Sequence, residues 1–419
     1  MSRLKKHNSS LEKWGLKENP FRPTPPNDPE KVAQIFYGRD QALDVAIPTL
    51  YEGRNILVRG AWGIGKTSLI FNLIYQLQRE VAELDDNEKM LILYLSSIPG
   101  ESATEFYRAL LLAIADSLAD LDQEAQDIAN TILGFSIQRT KTINEGQVKL
   151  GVLSFGRREE SPSNKLTPTA NADPYPLLIR LLNQAEKKYS RLVIAIDDFD
   201  KKDPIVVQNI LEGSLDLFRM GKNRGFIMTG RGFTDLQEAT LKALGIFSED
   251  IPLEKMSQDA LRQIAINYLN SARKEPRNDP HPFTEEVMQL ITNYAQGVPR
   301  QLNTICEKVL RNAASEGCEI IDQTAFSSIW QTLQQEFTYS LSPMFRHLLY
   351  VAYQAGGISE DISDRDLDKL DVVTFVALYP QLKSMEEQGL LIRQEDEKGF
   401  RFTPSQLFEP KFLPESKSE

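Results

Sequence analysis

Apolar residues in the first 254 positions come in short bursts, separated by longer stretches with helical spacing. The bursts are Asn55–Arg59, Met90–Ser96, Leu192–Ile196, Gly225–Thr229 and Asp250–Leu253. They are rich in Ile, Leu and Val and read as buried on both faces, which predicts strands of a parallel sheet. Thr67–Val81, Ala103–Leu121 and Pro204–Met220 carry helical patterns between them, which predicts helices wrapping that sheet. Residues 31–256 therefore read as an α/β core of three layers, helix, sheet and helix.

The rhythm breaks once. Between Gly134 and Pro174 the chain turns polar, alternates weakly through Val148, Leu150 and Val152, and then becomes rich in Ser, Pro, Asn and Thr. An insertion over 136–173 is expected between the second and third core strands, as a surface hairpin with a mobile loop. From Ser257 to about Thr338 the spacing is helical only, so 257–340 reads as a helical segment. Residues 341–412 run as a helix from Pro343, helices near 363–370 and 374–388, and a strand–turn–strand pair. That is the order of a winged helix. Residues 413–419 are a polar tail. Residues 1–30 are an arm in which Trp14 and Phe21 need something to pack on, although 1–10 also fit a disordered tail.

Composition narrows the class. The 419 residues suffice for two or three domains with substantial cores. Acidic residues number 59 against 48 basic, a formal charge of −11, which gives no global attraction to nucleic acid or to anionic membranes and leaves a local basic patch open. Cys306 and Cys318 have no C-x-x-C spacing, and His7, His281 and His347 stand far apart. A structural zinc site or a disulfide framework is not expected. No stretch approaches the roughly 18 apolar residues of a spanning helix, so a reducing cytoplasm is the expected compartment and no membrane is expected as a partner.

The chemistry is concentrated in Gly60-Ala61-Trp62-Gly63-Ile64-Gly65-Lys66-Thr67, with Ser68 next. The run fits G-x-x-x-x-G-K-S/T at every fixed position, after an apolar strand and before a helix, the context of a Walker A phosphate loop. Its glycines let successive N–H groups face phosphate oxygens, and the helix N-terminus adds its positive dipole end. Lys66 can reach the outer phosphates, and Thr67 Oγ1 can ligate Mg²⁺. ATP and Mg²⁺ are the expected cofactors.

Four further segments extend this site. Leu192–Ile196 ends in Asp197-Asp198, the form of a Walker B element. Asp197 would hold Mg²⁺ through its water shell, and Asp198 would orient the attacking water. Asp is shorter than the Glu many such enzymes use there, so slow hydrolysis is expected. Gly225–Thr229 ends in Gly230-Arg231. Thr229 could bond water or phosphate and Arg231 could sense the γ-phosphate, or Arg231 is a surface residue. Gly297-Val298-Pro299-Arg300 opens a helix. An arginine gains nothing from the dipole there, so Arg300 either meets phosphate or pairs with a nearby carboxylate. Tyr37-Gly38-Arg39, before Asp40, can line the adenine or form a plain helix-start turn.

Together these residues resemble the AAA+/STAND class of P-loop ATPases, with origin-recognition-like and ExeA-like proteins nearest, across almost the whole chain. The resemblance implies a sheet of order 5-1-4-3-2, a helical lid over 257–340, Thr229 as sensor 1 and Arg300 as sensor 2. Two departures follow. Phe233 to Leu244 contains no arginine, where a ring-forming member carries its finger, so switching is expected rather than a ring motor. The winged helix is acidic: from Pro343 to the end there are 9 Lys/Arg and 14 Asp/Glu, a net of −5. DNA readers need the opposite. A regulatory switch is expected, whose ATP or ADP state controls a protein partner at the winged helix or a nucleotide-dependent oligomer. A DNA-associated ATPase of the initiator or transposition-regulator type, and a nucleotide-bound scaffold with negligible turnover, are the alternatives. DNA contact would use Arg3, Lys5, Lys6 and Lys13 of the arm, or Arg157-Arg158.

Overall fold

The computed structural model describes residues 3–84, 88–96, 102–118, 136–145, 148–156, 173–199, 204–219, 221, 223–230, 244–370, 372–396, 399–405 and 408. The chain divides into two compact units. One contains residues 26–60 and 66–254; the other contains 1–25, 61–65 and 255–419.

The first unit is built on one seven-stranded sheet. Its strands are β1 (Ile56–Arg59), β2 (Met90–Leu95), β3 (Ser136–Glu145), β4 (Val148–Gly156), β5 (Arg191–Ile196), β6 (Arg224–Gly230) and β7 (Glu249–Pro252), in the order β3-β4-β2-β5-β6-β1-β7. Every pairing from β4 through β7 is parallel. Counted without the hairpin, the five core strands run 2-3-4-1-5, which is the expected 5-1-4-3-2 order. All residues of β2 and β6 are buried, because helices cover the sheet and leave no face for polar alternation. The helices Ala103–Leu118 and Pro174–Lys188 pack on each other, and Phe106, Leu110, Leu178 and Leu182 join the core with Phe226. The long helix expected over 204–220 is two pieces, Pro204–Gly213 and Leu215–Arg219.

Asn55 locks the first strand to its surroundings. Its side-chain nitrogen donates to the carbonyls of Phe218 and Ile246, both at 3.0 Å, and its oxygen accepts from Phe226 N at 3.0 Å. A buried amide with its capacity used this way fixes register as well as repaying its own desolvation.

The insertion is more than a surface hairpin. β3 and β4 pair antiparallel, and β4 then pairs parallel with β2, Met90 opposite Val148 through Leu95 opposite Leu153. The hairpin thus covers an edge that β2 would otherwise expose. The loop expected over 157–172 lies outside the described residues.

The second unit is helical, then winged. Helices Gln258–Ala272, Glu285–Ala295, Pro299–Glu316 and Gln323–Ser340 follow one another. Ser257, Thr284 and Asp322 cap three of them by accepting from Ala260 N, Val287 N and Ala325 N. Pro299 takes the first helical turn of the third, where a missing N–H costs nothing. Helices Pro343–Ala355, Asp364–Lys369 and Phe375–Glu387 then combine with β8 (Ile358–Ser359), β9 (Leu391–Asp396) and β10 (Gly399–Pro404). The sheet order is β8-β10-β9, antiparallel throughout, which is the winged-helix arrangement.

Residues 3–25 of the arm belong to this unit, and a helix stands where a disordered tail was the alternative. A helix spans Arg3–Lys13 and lies on Pro299–Glu316. Ser10 Oγ donates to Ala314 O, Trp14 Nε1 to Glu319 O and Asn19 Nδ2 to Glu307 O. Phe21 is buried, stacked on Tyr268 at 5.6 Å and edge-on to Phe283. Among the described residues no helix is long and apolar enough to cross a membrane.

Candidate nucleotide site

Parallel strands deliver their C-terminal tips to one edge of a sheet, and ligands of such sheets gather there. The tip of β5 carries Asp197, the tip of β6 carries Thr229, and the helix that starts at Lys66 carries Thr67. These three side chains meet. Asp197 is 2 % exposed. Its Oδ2 accepts from Thr67 Oγ1 at 2.6 Å and from Tyr94 OH at 3.0 Å. Its Oδ1 accepts from Thr229 Oγ1 and from Asp198 N, the latter at 3.0 Å. Asp198 N also donates to Thr229 Oγ1 at 3.2 Å.

Burial raises the pKa of Asp197 above its ordinary value, and the Asp198 charge pushes the same way. Bonds from Thr229, Thr67 and Tyr94 pull against that shift without cancelling it. Burial and Asp198 thus disfavour the charge of this carboxylate, and a small cation would offset both. Thr67 Oγ1 and Asp197 Oδ2 are adjacent hard oxygens, the donor type and number that Mg²⁺ takes from protein when phosphates complete its shell. The residues present fit the metal.

Lys66 is buried and its Nζ donates to Gly60 O at 2.7 Å. The ammonium is thus folded against the first carbonyl of its own loop, where phosphate oxygens would compete for it. Asp198 has φ of 50°, a left-handed backbone that a non-glycine residue adopts at a cost. Its amide is pinned by Asp197 and Thr229, so the strained turn is held from two sides.

The middle of the loop, Ala61–Gly65, groups with the second unit. There Arg300 N donates to Gly63 O at 3.3 Å, and the guanidinium carbon of Arg300 lies 3.9 Å from the centroid of the Trp62 ring. Ile64 is buried, while Trp62, Gly63 and Gly65 are half-buried. A Cβ added at Gly65 would meet nothing within 4 Å, so the space beside Gly65 is open.

The candidate residues therefore form groups. Lys66 with Gly60, and Thr67 with Asp197, Asp198 and Thr229, lie in the first unit, with Ser68 half-buried in the next helical position. Ala61, Trp62, Gly63, Ile64 and Gly65 lie with Arg300 in the second. Tyr37, Gly38 and Arg39 also lie in the first unit: Tyr37 is exposed, and Arg39, at φ of 71°, precedes the helix Asp40–Tyr51 and donates from Nη2 to Glu254 O. Arg231 lies outside the described residues. Thr229 donates its one proton to Asp197. Tyr94 was not legible as a site residue, because an aromatic inside an apolar strand reads as core.

Residues 35–224 match the family model of the AAA ATPase domain. Among solved structures, the Aeropyrum pernix ORC1 protein in complex with DNA is similar over 92 % of this chain and 93 % of that chain, at 13 % identity and a TM-score of 0.51. The Aeropyrum pernix ORC2 protein, in ADPNP–ADP complexes, is similar over 89 % and 90 %, at 13 % identity and a TM-score of 0.51. At that identity the likeness establishes the fold alone. No match was found among curated protein sequences.

Proposed function

We propose that this chain is an AAA+ P-loop ATPase that works as a slow, Mg-ATP-operated switch, a reading supported by the match of residues 35–224 to the AAA ATPase domain. Lys66 and the N–H groups of the loop bind the phosphates. Thr67 and Asp197 hold the metal, which screens phosphate charge. Asp198 orients the attacking water, and Thr229 fixes both carboxylate residues. Arg300 reads the bound phosphate.

One observation carries the switching part of this reading. The interior of the phosphate loop is packed on the first turn of the helix Pro299–Glu316, through Gly63, Trp62 and Arg300. Phosphate bound in the loop would compete with Trp62 for Arg300, and the helix belongs to the same unit as the winged helix. The readout is a protein surface. Val373 and Val376, at the start of the third winged-helix helix, are 91 % and 79 % exposed, and that helix carries one basic residue, Lys383, against Glu386 and Glu387. Apolar side chains without basic neighbours suit a protein partner or a second copy of the chain better than a duplex.

Single-turnover hydrolysis tests the chemistry, with Asp198→Ala as the control. Turnover surviving that substitution removes Asp198 from its role, and no turnover in the parent favours a nucleotide-bound scaffold. Gel filtration with and without a non-hydrolysable ATP analogue tests assembly. A second reading, a DNA-associated initiator-type ATPase, is favoured by the likeness to a structure solved with DNA. ATP-stimulated duplex binding with a steep salt dependence would establish it in place of the first.

A further inference from the structure

Tyr94 reaches Asp197 from β2. Its hydroxyl donates to the oxygen that Thr67 also holds, and the residue is 4 % exposed. Its ring lies 4.6 Å from that of Phe71, centroid to centroid. Phe71 stands four residues after Thr67 on the helix Lys66–Leu84, so the two share a face. Thr67, Asp197, Tyr94 and Phe71 close a cycle: helix to carboxylate, carboxylate to phenol, phenol back to the same helix. The strand β2 contributes no residue of either Walker element, yet it supplies this donor.

The cycle has a geometric consequence. Oδ2 of Asp197 has two donors, and one of them, Thr67, is itself placed as a metal ligand. Tyr94 is held by Phe71 and by its strand, apart from the phosphate loop. It can keep the carboxylate plane fixed while the loop changes shape around phosphate.

We propose that Tyr94 is a positioning residue for the Mg-nucleotide site, its hydroxyl holding Asp197 Oδ2 in the orientation a divalent cation requires. This rests on the nucleotide reading above and adds a residue to it. Partners that orient a ligating carboxylate are worth about 10–100-fold in metal affinity.

The test uses the full chain and a fluorescent ATP analogue. Its binding is titrated with Mg²⁺ and, separately, in EDTA, beside kcat and KM for hydrolysis. Tyr94→Phe keeps the ring on Phe71 and removes the hydroxyl; Tyr94→Leu removes both. Tyr94→Phe is expected to raise the Mg²⁺ half-saturation about 10-fold, to leave affinity in EDTA unchanged, and to recover kcat in excess Mg²⁺. Tyr94→Leu is expected to show the same Mg²⁺ shift with a larger loss of Tm. An unchanged Mg²⁺ half-saturation in Tyr94→Phe overturns the proposal. So does an equal loss of affinity with and without the metal, which marks general packing. A parent chain that binds no analogue in either condition overturns the nucleotide reading first, and the role of Tyr94 with it.

Discussion

Arg300 lies over the ring of Trp62, 3.9 Å from guanidinium carbon to ring centroid. Trp62 is the third residue of the phosphate loop, so an arginine expected at phosphate instead rests on the loop itself. A cation on a half-exposed aromatic face gains about 0.5–1 kcal/mol. A charge-assisted bond to phosphate is worth about 1.5–3 kcal/mol. Phosphate wins that competition, and Trp62 should report it. Trp14 and Trp330 are buried, which leaves Trp62 as the responsive indole. ATP is expected to change the intrinsic fluorescence of the parent, and to leave that of Trp62→Phe and Arg300→Ala unchanged. Arg300→Ala is also expected to weaken ATP binding about 10-fold, the 1.4 kcal/mol equivalent of one such bond. A fluorescence response that persists in Trp62→Phe would remove the ring from the switch.

Two loop glycines separate shape from strain. Gly63 has φ of +77°, and a Cβ there would lie 2.9 Å from Arg300 Cβ and 3.2 Å from Val298 Cγ1. Gly65 has φ of +107° with nothing within 4 Å. Alanine at 65 meets only the backbone penalty of roughly 1–2 kcal/mol, whereas alanine at 63 also forces Arg300 and Val298 apart. Both substitutions are expected to impair ATP binding. Gly63→Ala should lower Tm further and disturb the Trp62 emission without nucleotide. Equal Tm losses in the two variants would contradict the close approach at Gly63.

How much of this was readable in the sequence depends on the range of each interaction. The five core strands were legible because burial on both faces leaves uninterrupted Ile, Leu and Val, and the loop because phosphate chemistry fixes its spacing. The hairpin β3–β4 was legible as strands; its pairing with β2 was not, since weak alternation names no neighbour. The helix Arg3–Lys13 escaped because RLKKHNSSLEK has almost no apolar stripe; its order comes from contacts near position 314. Tyr94 escaped because only the folded sheet brings its hydroxyl to Asp197. The resting place of Arg300 on Trp62 escaped because both its other expected partners, phosphate or a carboxylate, were charged.

Asp197 exchanges stability for function. Burial and the neighbouring Asp198 both disfavour its charge in the absence of a cation. Asparagine has the same shape and no charge, and the hydroxyls of Thr67, Tyr94 and Thr229 can each rotate to serve it. Asp197→Asn is therefore expected to raise the Tm of the nucleotide-free chain at neutral pH. It is expected to reduce hydrolysis by about 100-fold through loss of the metal ligand. Calorimetry and a phosphate-release assay read the two effects. A lowered Tm would mean that the charge is already compensated in the resting protein.

The arm carries a pH signature. Tyr268, under Phe21, is 7 % exposed, and burial pushes its pKa up to about 12 against a partly offsetting bond with Asn303. The unfolded chain then loses this proton near pH 10, well before the folded one. Stability from the neutral phenol is full below pH 10 and is lost as pH rises through 12. At pH 11 the loss is about 1.4 kcal/mol for a shift of this size. The stability gap between the parent and Tyr268→Phe should therefore shrink by that amount between pH 9 and pH 11 in urea denaturation. Phe21→Ala, which uncovers the ring, should bring the phenolate absorbance transition back toward pH 10. A transition unmoved by Phe21→Ala would show that the arm does not shield Tyr268, and that its burial comes from the helices alone.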